Sequence, residues 1–446
     1  MRSNNTRKWL KSHHDTLFPS FPFLKKRDID WLFDSVKEKE TIKGALYIHI
    51  PFCTGRCTFC ILTKEHPSRD TLKYVNSILE EARTWREYYS HVETVYVGGG
   101  TPTSLSTAEP KLLFDGLGEI FEIEKAAEIS IETTVSELTA DKINLLADLG
   151  VNRLSVGVQT FNQGLRNVLG RRSSVKEIIK KLDTAREVFP RLTADFLYDV
   201  PGRQKRDVLT DLRIAEGIRI DGISLYPLIY NPKTAIAKQF EPQPIETAMD
   251  VFANARNFLD DNGYTHVNIN HFSNGRDKFR YSTYFNRLDN VLGLGAGSTG
   301  FLAGCFLKHK STSEKYIPDS VANVFNVPEA SIPVLWCVSQ LQYGRIDLEE
   351  PKRRWDFEPL EAFTAPIEKC VDRRELIIRK NTIELTTTGM FWANTIGAEM
   401  AVEYLYDGKG GLVSLEEGSS KIAKGIMLNK IRHGRKALNR NCRFPH

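Results

Sequence analysis

The chain has 446 residues, 41% of them apolar and 10% aromatic, enough for one large domain plus one or two smaller ones with a full core. Its net charge of +5 is modest for this length and does not point to nucleic acid. No apolar run approaches ~18 residues, so no membrane span is expected, and the N-terminal Met1-Arg-Ser-Asn-Asn-Thr-Arg-Lys8 lacks the apolar segment of a secretory signal.

Residues 1–40 read as an N-terminal extension. From about residue 41, short β-rich runs alternate with helical stretches. Residues 45–50 predict a strand entering a cysteine loop, and 70–87 predict a helix with Leu72, Val75, Ile78, Leu79 and Ala82 on one face. A strand over 94–97 ends in Gly98-Gly-Gly-Thr-Pro102. Then come a strand at 128–132, a helix at 139–149 stopped by Gly150, a strand at 153–158 ending at Gln159, and a helix at 175–189. Further strands are expected at 193–199, closed by Pro201-Gly202, at 222–226, and at 265–270. This alternation predicts an α/β chain with parallel β/α units, a partial (β/α)6-type TIM barrel over 41–275. In such barrels the chemistry sits at the C-terminal strand ends. The thiols, the glycines, Glu132, Gln159, Asp195 and Tyr226 all fall there.

Beyond about residue 276 the rhythm changes, and 276–446 read as a mixed α/β accessory domain with a hairpin-like stretch at 376–385. The run Val291-Leu-Gly-Leu-Gly-Ala-Gly-Ser-Thr-Gly300 lacks the β-α context of a dinucleotide site, so tight backbone packing or substrate approach is expected of it. From Lys421 to Arg443 the chain is basic: either a solvated tail or a contact for an anionic substrate.

The most informative segment is His49-Ile-Pro-Phe-Cys-Thr-Gly-Arg-Cys-Thr-Phe-Cys60. Spacings of three and two residues let one loop present Cys53, Cys57 and Cys60 to a single iron–sulfur cube. A cluster that only transfers electrons normally has four thiolates; with three, one iron keeps an open position. The rival, a structural zinc site on Cys57 and Cys60, would want a second C-x-x-C or His pair. Cys305, Cys337, Cys370 and Cys442 stand alone. Clustered thiols and an odd cysteine count also fit a reducing cytosol, so a cytoplasmic location is expected.

The C-x3-C-x2-C spacing resembles the radical S-adenosylmethionine (SAM) signature. The chain is similar to the family typified by oxygen-independent coproporphyrinogen III dehydrogenase, its haem-chaperone relatives and its methyltransferase relatives. The likeness runs over roughly residues 41–400. It is carried by Tyr47-Ile-His-Ile-Pro-Phe-Cys53, Gly98-Gly-Gly-Thr-Pro102, Ile131-Glu-Thr-Thr134, Ser155-Val-Gly-Val-Gln-Thr-Phe-Asn162, Gly170-Arg171, Asp195-Phe-Leu-Tyr-Asp-Val-Pro-Gly202 and Leu225-Tyr-Pro-Leu228. The glycine run at 291–297 and Leu385-Thr-Thr-Thr-Gly-Met-Phe-Trp392 belong to it too.

The resemblance implies a barrel of the radical SAM kind, a HemN-like accessory domain, and a [4Fe-4S] cluster on Cys53, Cys57 and Cys60 whose open iron chelates SAM. It places Tyr47 beside SAM, Gly99, Gly100 and Glu132 at its amino end, and Arg171 at its carboxylate. Gln159 and Asp195 would take the ribose, and the strand end from Tyr226 to Leu228 the adenine. Phe59 and Thr101 belong to the same expected set. His271 is a candidate for substrate contact or proton transfer, or equally a buried structural histidine.

Ile61 and Leu62 follow Cys60 where the dehydrogenases carry a further cysteine, Arg280-Tyr-Ser-Thr-Tyr-Phe285 replaces the chaperones' His-Asn…Tyr-Trp stretch, and Arg203 displaces Gln204 after Pro201-Gly202. Cys57-Thr-Phe-Cys60, His271-Phe272 and Gly389-Met-Phe-Trp-Ala-Asn394 look like the methyltransferase branch. The expectation is therefore a radical SAM C-methyltransferase using two SAM molecules. One would yield a 5′-deoxyadenosyl radical and the other a methylene for an sp2 carbon of a flat substrate, haem or another tetrapyrrole first and an aromatic natural product second. A decarboxylating dehydrogenase and a non-enzymatic haem chaperone are the alternatives. A flavodoxin- or ferredoxin-type electron donor is expected, with no nucleic-acid or membrane partner.

Overall fold

The computed structural model describes residues 24–37, 42–55, 57–67, 70–317 and 322–406. The basic stretch from Lys421 to Arg443, Cys442 and most of the 1–40 extension lie outside the described residues. One compact unit spans residues 26–326, and a second takes in the described residues 327–406.

The strands of the large sheet are β1 (Lys25–Arg27), β2 (Ile42–Ile50), β3 (Tyr89–Gly99), β4 (Glu122–Thr134), β5 (Arg153–Gln159), β6 (Arg191–Leu197), β7 (Gly222–Tyr226), β8 (Thr265–Asn268), β9 (His271–Ser273), β10 (Val291–Leu294), β11 (Thr299–Leu302), β12 (Cys305–Lys308) and β13 (Asn323–Asn326). Their spatial order is β1-β13-β12-β11-β10-β2-β3-β4-β5-β6-β7-β9-β8. From β2 to β7 all five neighbouring pairs run parallel, as the strand–helix alternation predicts. The sheet does not close on itself among the described residues, so the barrel is partial, in keeping with the α/β fold expected.

Parallel strands covered on both faces read as continuous apolar runs, and every residue of β5 is buried. The helix Thr71–Trp85 covers the sheet with Val75, Ile78, Leu79 and Ala82, joined by Tyr74 and Trp85. Leu72 departs from expectation and is 49% exposed. At 100° per residue the buried face, which also takes in Thr71, Ser77 and Glu81, is centred near Ile78, so Tyr74 lies within it and Leu72 outside.

The stretch expected to be one strand over 265–270 is a short antiparallel pair. β8 stops at Asn268, and β9 runs back along β7. The glycine run supplies a further parallel strand, β10 beside β2. At its end Gly295 adopts φ +97°, and a Cβ there would stand 2.5 Å from the His49 carbonyl oxygen, so close packing explains the glycine.

In the second unit, β14 (Arg345–Asp347), β15 (Leu376–Arg379) and β16 (Thr382–Leu385) form a small sheet in the order β14-β16-β15. The hairpin-like stretch is the antiparallel pair β15–β16, with Leu376 opposite Leu385. No helix among the described residues is long and apolar enough to cross a membrane.

Candidate active site

The cysteine loop leaves the C-terminal end of β2 and is tied down on both sides. The Cys53 amide donates to the Glu65 carbonyl at 2.8 Å, and the Glu65 amide donates to the Pro51 carbonyl at 3.0 Å. On the far side, Thr58 donates to the carbonyls of Leu169 (amide, 3.2 Å) and Val168 (hydroxyl, 2.8 Å), and accepts from the Ile236 amide at 3.0 Å. Phe59 packs against a buried apolar cluster that includes Leu169, Leu228 and Ile236. Cys53, Cys57 and Cys60 are free thiols and partly exposed. Burial pushes the Cys57 thiol up, with Arg171 and Lys64 pulling the other way. No three His, Cys, Asp or Glu side chains among the described residues make a site for a single metal ion. A cube instead asks each thiolate to reach its own iron.

Beside this loop lies the glycine turn after β3. Gly99 has φ +116°, and a Cβ on it would come within 2.7 Å of the Ile50 carbonyl oxygen. At Gly100 a Cβ would meet the Phe52 oxygen at 2.5 Å. Only glycine lets this turn press against the cysteine loop, and the amides of Gly100 and Thr101 bond the Ile50 and Phe52 carbonyls at 2.7 and 2.8 Å. The Thr101 hydroxyl lies 3.3 Å from the Cys53 sulfur.

Glu132, near the end of β4, accepts from the Tyr96 hydroxyl at 2.6 Å and from the Gly99 amide at 3.1 Å. Burial nevertheless pushes its carboxyl up to about 7. Gln159 ends β5 at φ +72°, a left-handed conformation uncommon outside glycine. Its side-chain amide would lie 3.1 Å from a Cβ on Gly157, and Arg171 reaches the same spot. The Arg171 Nε is buried without a partner. Asp195 on β6 stands opposite Ser224 of β7 in the parallel register, and burial pushes its carboxyl up, with Ser224 and Ser155 among the groups pulling the other way.

A cleft of about 270 Å³ joins these groups. Of the residues expected from sequence, Cys53, Cys57, Phe59, Cys60, Gly100, Thr101, Glu132, Gln159, Arg171, Asp195 and Tyr226 line it. Gly99 lies behind the lining, holding Glu132. Leu228 is off the lining, 2% exposed within the apolar cluster against which Phe59 packs. Tyr47 is off the lining: its hydroxyl meets His49 Nδ1 at 2.8 Å and its ring stacks on Tyr281 at 5.4 Å. Burial pushes His49 down to about 4, so the imidazole is neutral.

His271 also lies off the lining and is fully buried. Its Nδ1 is 2.9 Å from the Ser224 hydroxyl and its Nε2 is 2.7 Å from the Asp277 carboxylate. The sequence reading passed over Leu62, Lys64, Tyr96, Arg153, Ser155, Ser224 and Phe279, which line the cleft too. Period-2 alternation could have found several of them: Arg153 and Ser155 share a face of β5 with Gln159, and Ser224 shares one with Tyr226.

Three thiols on one anchored loop, a turn with no room for a Cβ, and a buried guanidinium Nε lacking an acceptor fit a cluster and an amino-acid-bearing cofactor in one cleft. Comparison with known proteins agrees. Residues 47–215 match the model of the Radical SAM superfamily. The chain is 29% identical over 283 residues to the haem chaperone HemW of Lactococcus lactis, covering 61% of this chain and 74% of the relative. It is 27% identical over 380 residues to the anaerobilin synthase of Escherichia coli O157:H7, covering 79% and 83%. It is also 27% identical over 296 residues to the oxygen-independent coproporphyrinogen III oxidase of Escherichia coli K12, covering 61% and 64%. Its fold matches the solved coproporphyrinogen III oxidase HemN of Escherichia coli with a TM-score of 0.76 at 21% identity, over 87% of this chain and 97% of that one. The fold is thus HemN-like, and residues 47–215 are similar to the Radical SAM superfamily.

Proposed function

We propose that this chain is a radical SAM enzyme that acts on a tetrapyrrole, by oxidation of its substituents or opening of its ring. The observation that carries the reading is the cleft's composition: a three-thiol loop, the Glu132 and Arg171 side chains, and an apolar mouth open onto one cavity. Leu62 (45% exposed) and Tyr226 (36% exposed) stand at that mouth, and Ile61 is 48% exposed next to Cys60. Exposed apolar side chains around a polar cleft suit a flat macrocycle. The relatives named for a haem chaperone, a bilin synthase and a coproporphyrinogen oxidase support the same substrate class.

In this reading Cys53, Cys57 and Cys60 hold the cluster. The bound cluster and SAM supply one-electron chemistry that ends in hydrogen abstraction from the substrate. Glu132 accepts hydrogen bonds from the amino end of SAM, with Gly99 and Tyr96 fixing the direction of its oxygens. Arg171 offers its unpartnered Nε to the SAM carboxylate, a charge-assisted contact. Gln159 and Asp195 take the ribose hydroxyls. Leu62 and Tyr226 exclude water from the mouth.

Methyl transfer has weaker support than the sequence reading expected, because none of the relatives reported above is named as a methyltransferase. A second SAM would need a second such set of groups, and the described cleft offers one. The second reading, a haem chaperone, is favoured by the HemW relative.

The deciding experiment incubates anaerobically reconstituted, reduced protein with SAM and either coproporphyrinogen III or hemin, followed by mass analysis. 5′-Deoxyadenosine together with carbon dioxide or an opened macrocycle supports the proposal. S-adenosylhomocysteine would restore the methyltransferase reading. Stoichiometric hemin binding with no SAM consumed would replace the enzyme reading by the chaperone.

A further inference from the structure

Pairing the charges of the cleft one by one leaves a single cation over. Three basic side chains line it: Lys64, Arg153 and Arg171. Arg153 is committed to the buried Asp277 carboxylate, to which its Nε and Nη2 donate at 2.8 and 3.1 Å. Arg171 keeps a buried Nε without an acceptor and is the group assigned to the carboxylate of SAM. The carboxylates of the cleft are committed as well. Glu132 accepts from Tyr96 and Gly99 and faces the amino end of SAM, and Asp195 takes the ribose. SAM carries one carboxylate only, so with SAM seated Lys64 still lacks an anion.

The backbone holds Lys64 beside the thiols. The Cys53 amide donates to the carbonyl of the next residue, Glu65, at 2.8 Å, and the Glu65 amide donates to the Pro51 carbonyl at 3.0 Å. The Glu65 carboxylate, the nearest acid in sequence, is taken by Ser313. One of its oxygens accepts from the Ser313 amide at 2.7 Å and the other from the Ser313 hydroxyl. Among the described residues no hydrogen bond or ion pair engages the Lys64 ammonium group. Lys64 is half-buried, and a charge drawn partly out of water is stabilised by a partner of opposite sign. Two residues before it, Leu62 lines the same cleft at 45% exposure. A cation next to an apolar surface complements a flat conjugated molecule with an acid at its edge.

We infer that Lys64 pairs with a carboxylate at the edge of the substrate, so that the cleft takes a tetrapyrrole acid and discriminates against its ester. Lys64 is thereby a specificity-determining residue and makes no contact with SAM. The inference rests on the tetrapyrrole reading and adds the group by which the macrocycle is seated. The competing anion is the thiol loop, since Lys64 pulls the Cys57 thiol down.

The test is binding to the anaerobically reconstituted holoprotein with SAM present and no reductant, so that SAM is not consumed. Coproporphyrin III and hemin are titrated, each as free acid and as methyl ester, and followed by their Soret absorbance. Lys64→Met is expected to weaken the free acids about tenfold, the scale of one hydrogen bond to a charged group, and to leave the esters unchanged. Lys64→Arg keeps the charge and should restore most of the free-acid affinity. In the parent the preference for acid over ester should shrink as salt is raised, because a half-exposed pair is screened. Iron content and SAM affinity should match the parent in both variants. If Lys64→Met binds acids and esters as the parent does, the pairing is overturned and the substrate reading stands. Loss of iron or of SAM affinity in Lys64→Met would assign the cation to the cluster or to SAM and overturn the pairing too. If the parent takes up neither porphyrin in either form, the tetrapyrrole reading fails and the pairing with it.

Discussion

Glu132→Gln is the most instructive single substitution in the cleft, because Glu132 is expected to act as an ionised acceptor in a place that disfavours its charge. Burial lifts its carboxyl to about 7 from an ordinary 4.5. At pH 6 about one-tenth of the molecules then carry the ionised form, and at pH 8 about nine-tenths. If only that form receives the amino end of SAM, apparent affinity scales with its population and should improve about tenfold from pH 6 to pH 8. The amino group of SAM also titrates near 8, so the informative quantity is the difference between parent and variant. In Glu132→Gln the component that follows Glu132 should vanish, and SAM should bind weakly at pH 8.

The same shift makes a stability statement of definite sign. Below pH 4.5 the carboxyl is protonated in both folded and unfolded chains. Between 4.5 and 7 the unfolded chain ionises while the buried group holds its proton. The folded state of the cofactor-free protein therefore loses roughly 3 kcal/mol as pH rises through that window, at ~1.36 kcal/mol per pH unit. Glu132→Gln should remove that fall. Calorimetric SAM titrations from pH 6 to 8, paired with urea melts from pH 4.5 to 7.5, read both effects. Parallel pH profiles for parent and variant would refute the reasoning.

Tyr96→Phe removes the 2.6 Å hydrogen bond that partly offsets the burial of Glu132, so the pH midpoint of SAM binding should move upward. Gly99→Ala puts a Cβ 2.7 Å from the Ile50 oxygen at a φ of +116°, and thermal or urea melts should show a loss of about 1–3 kcal/mol. Replacing Cys53, Cys57 and Cys60 together by alanine should abolish bound iron and sulfide while leaving far-ultraviolet circular dichroism unchanged, since the loop is held by backbone bonds at Cys53, Thr58 and Glu65.

Much of this architecture was readable from residue order. The parallel strands β2 to β7 announce themselves as short apolar runs between amphipathic helices, and residues with chemistry gather at their C-terminal ends. Gln159 and Asp195 could be placed because a strand end in a β/α unit points its last inward residue at the cleft. The remainder was hidden for physical reasons. Arg153 and Asp277 are 124 positions apart in the chain and meet only because β5 and the turn after β9 share the inner face. Nothing local marks Phe279, whose φ of +45° belongs to the entry of the helix Arg280–Asn286. The glycine run at 291–297 was legible as tight backbone packing or substrate approach, but not what it packs on, because His49 lies nearly 250 residues upstream of Gly295. Residue type left His271 open equally to substrate contact and to a buried structural role; it is fully buried, with both ring nitrogens engaged.

The central claim is that Cys53, Cys57 and Cys60 hold a cluster with one iron open to SAM. It is tested most directly by electron paramagnetic resonance of the anaerobically reconstituted, reduced protein before and after SAM is added. The account predicts about four irons per chain and a cluster signal that changes when SAM binds. A signal that SAM leaves untouched, or protein that retains no iron and sulfide, would contradict it.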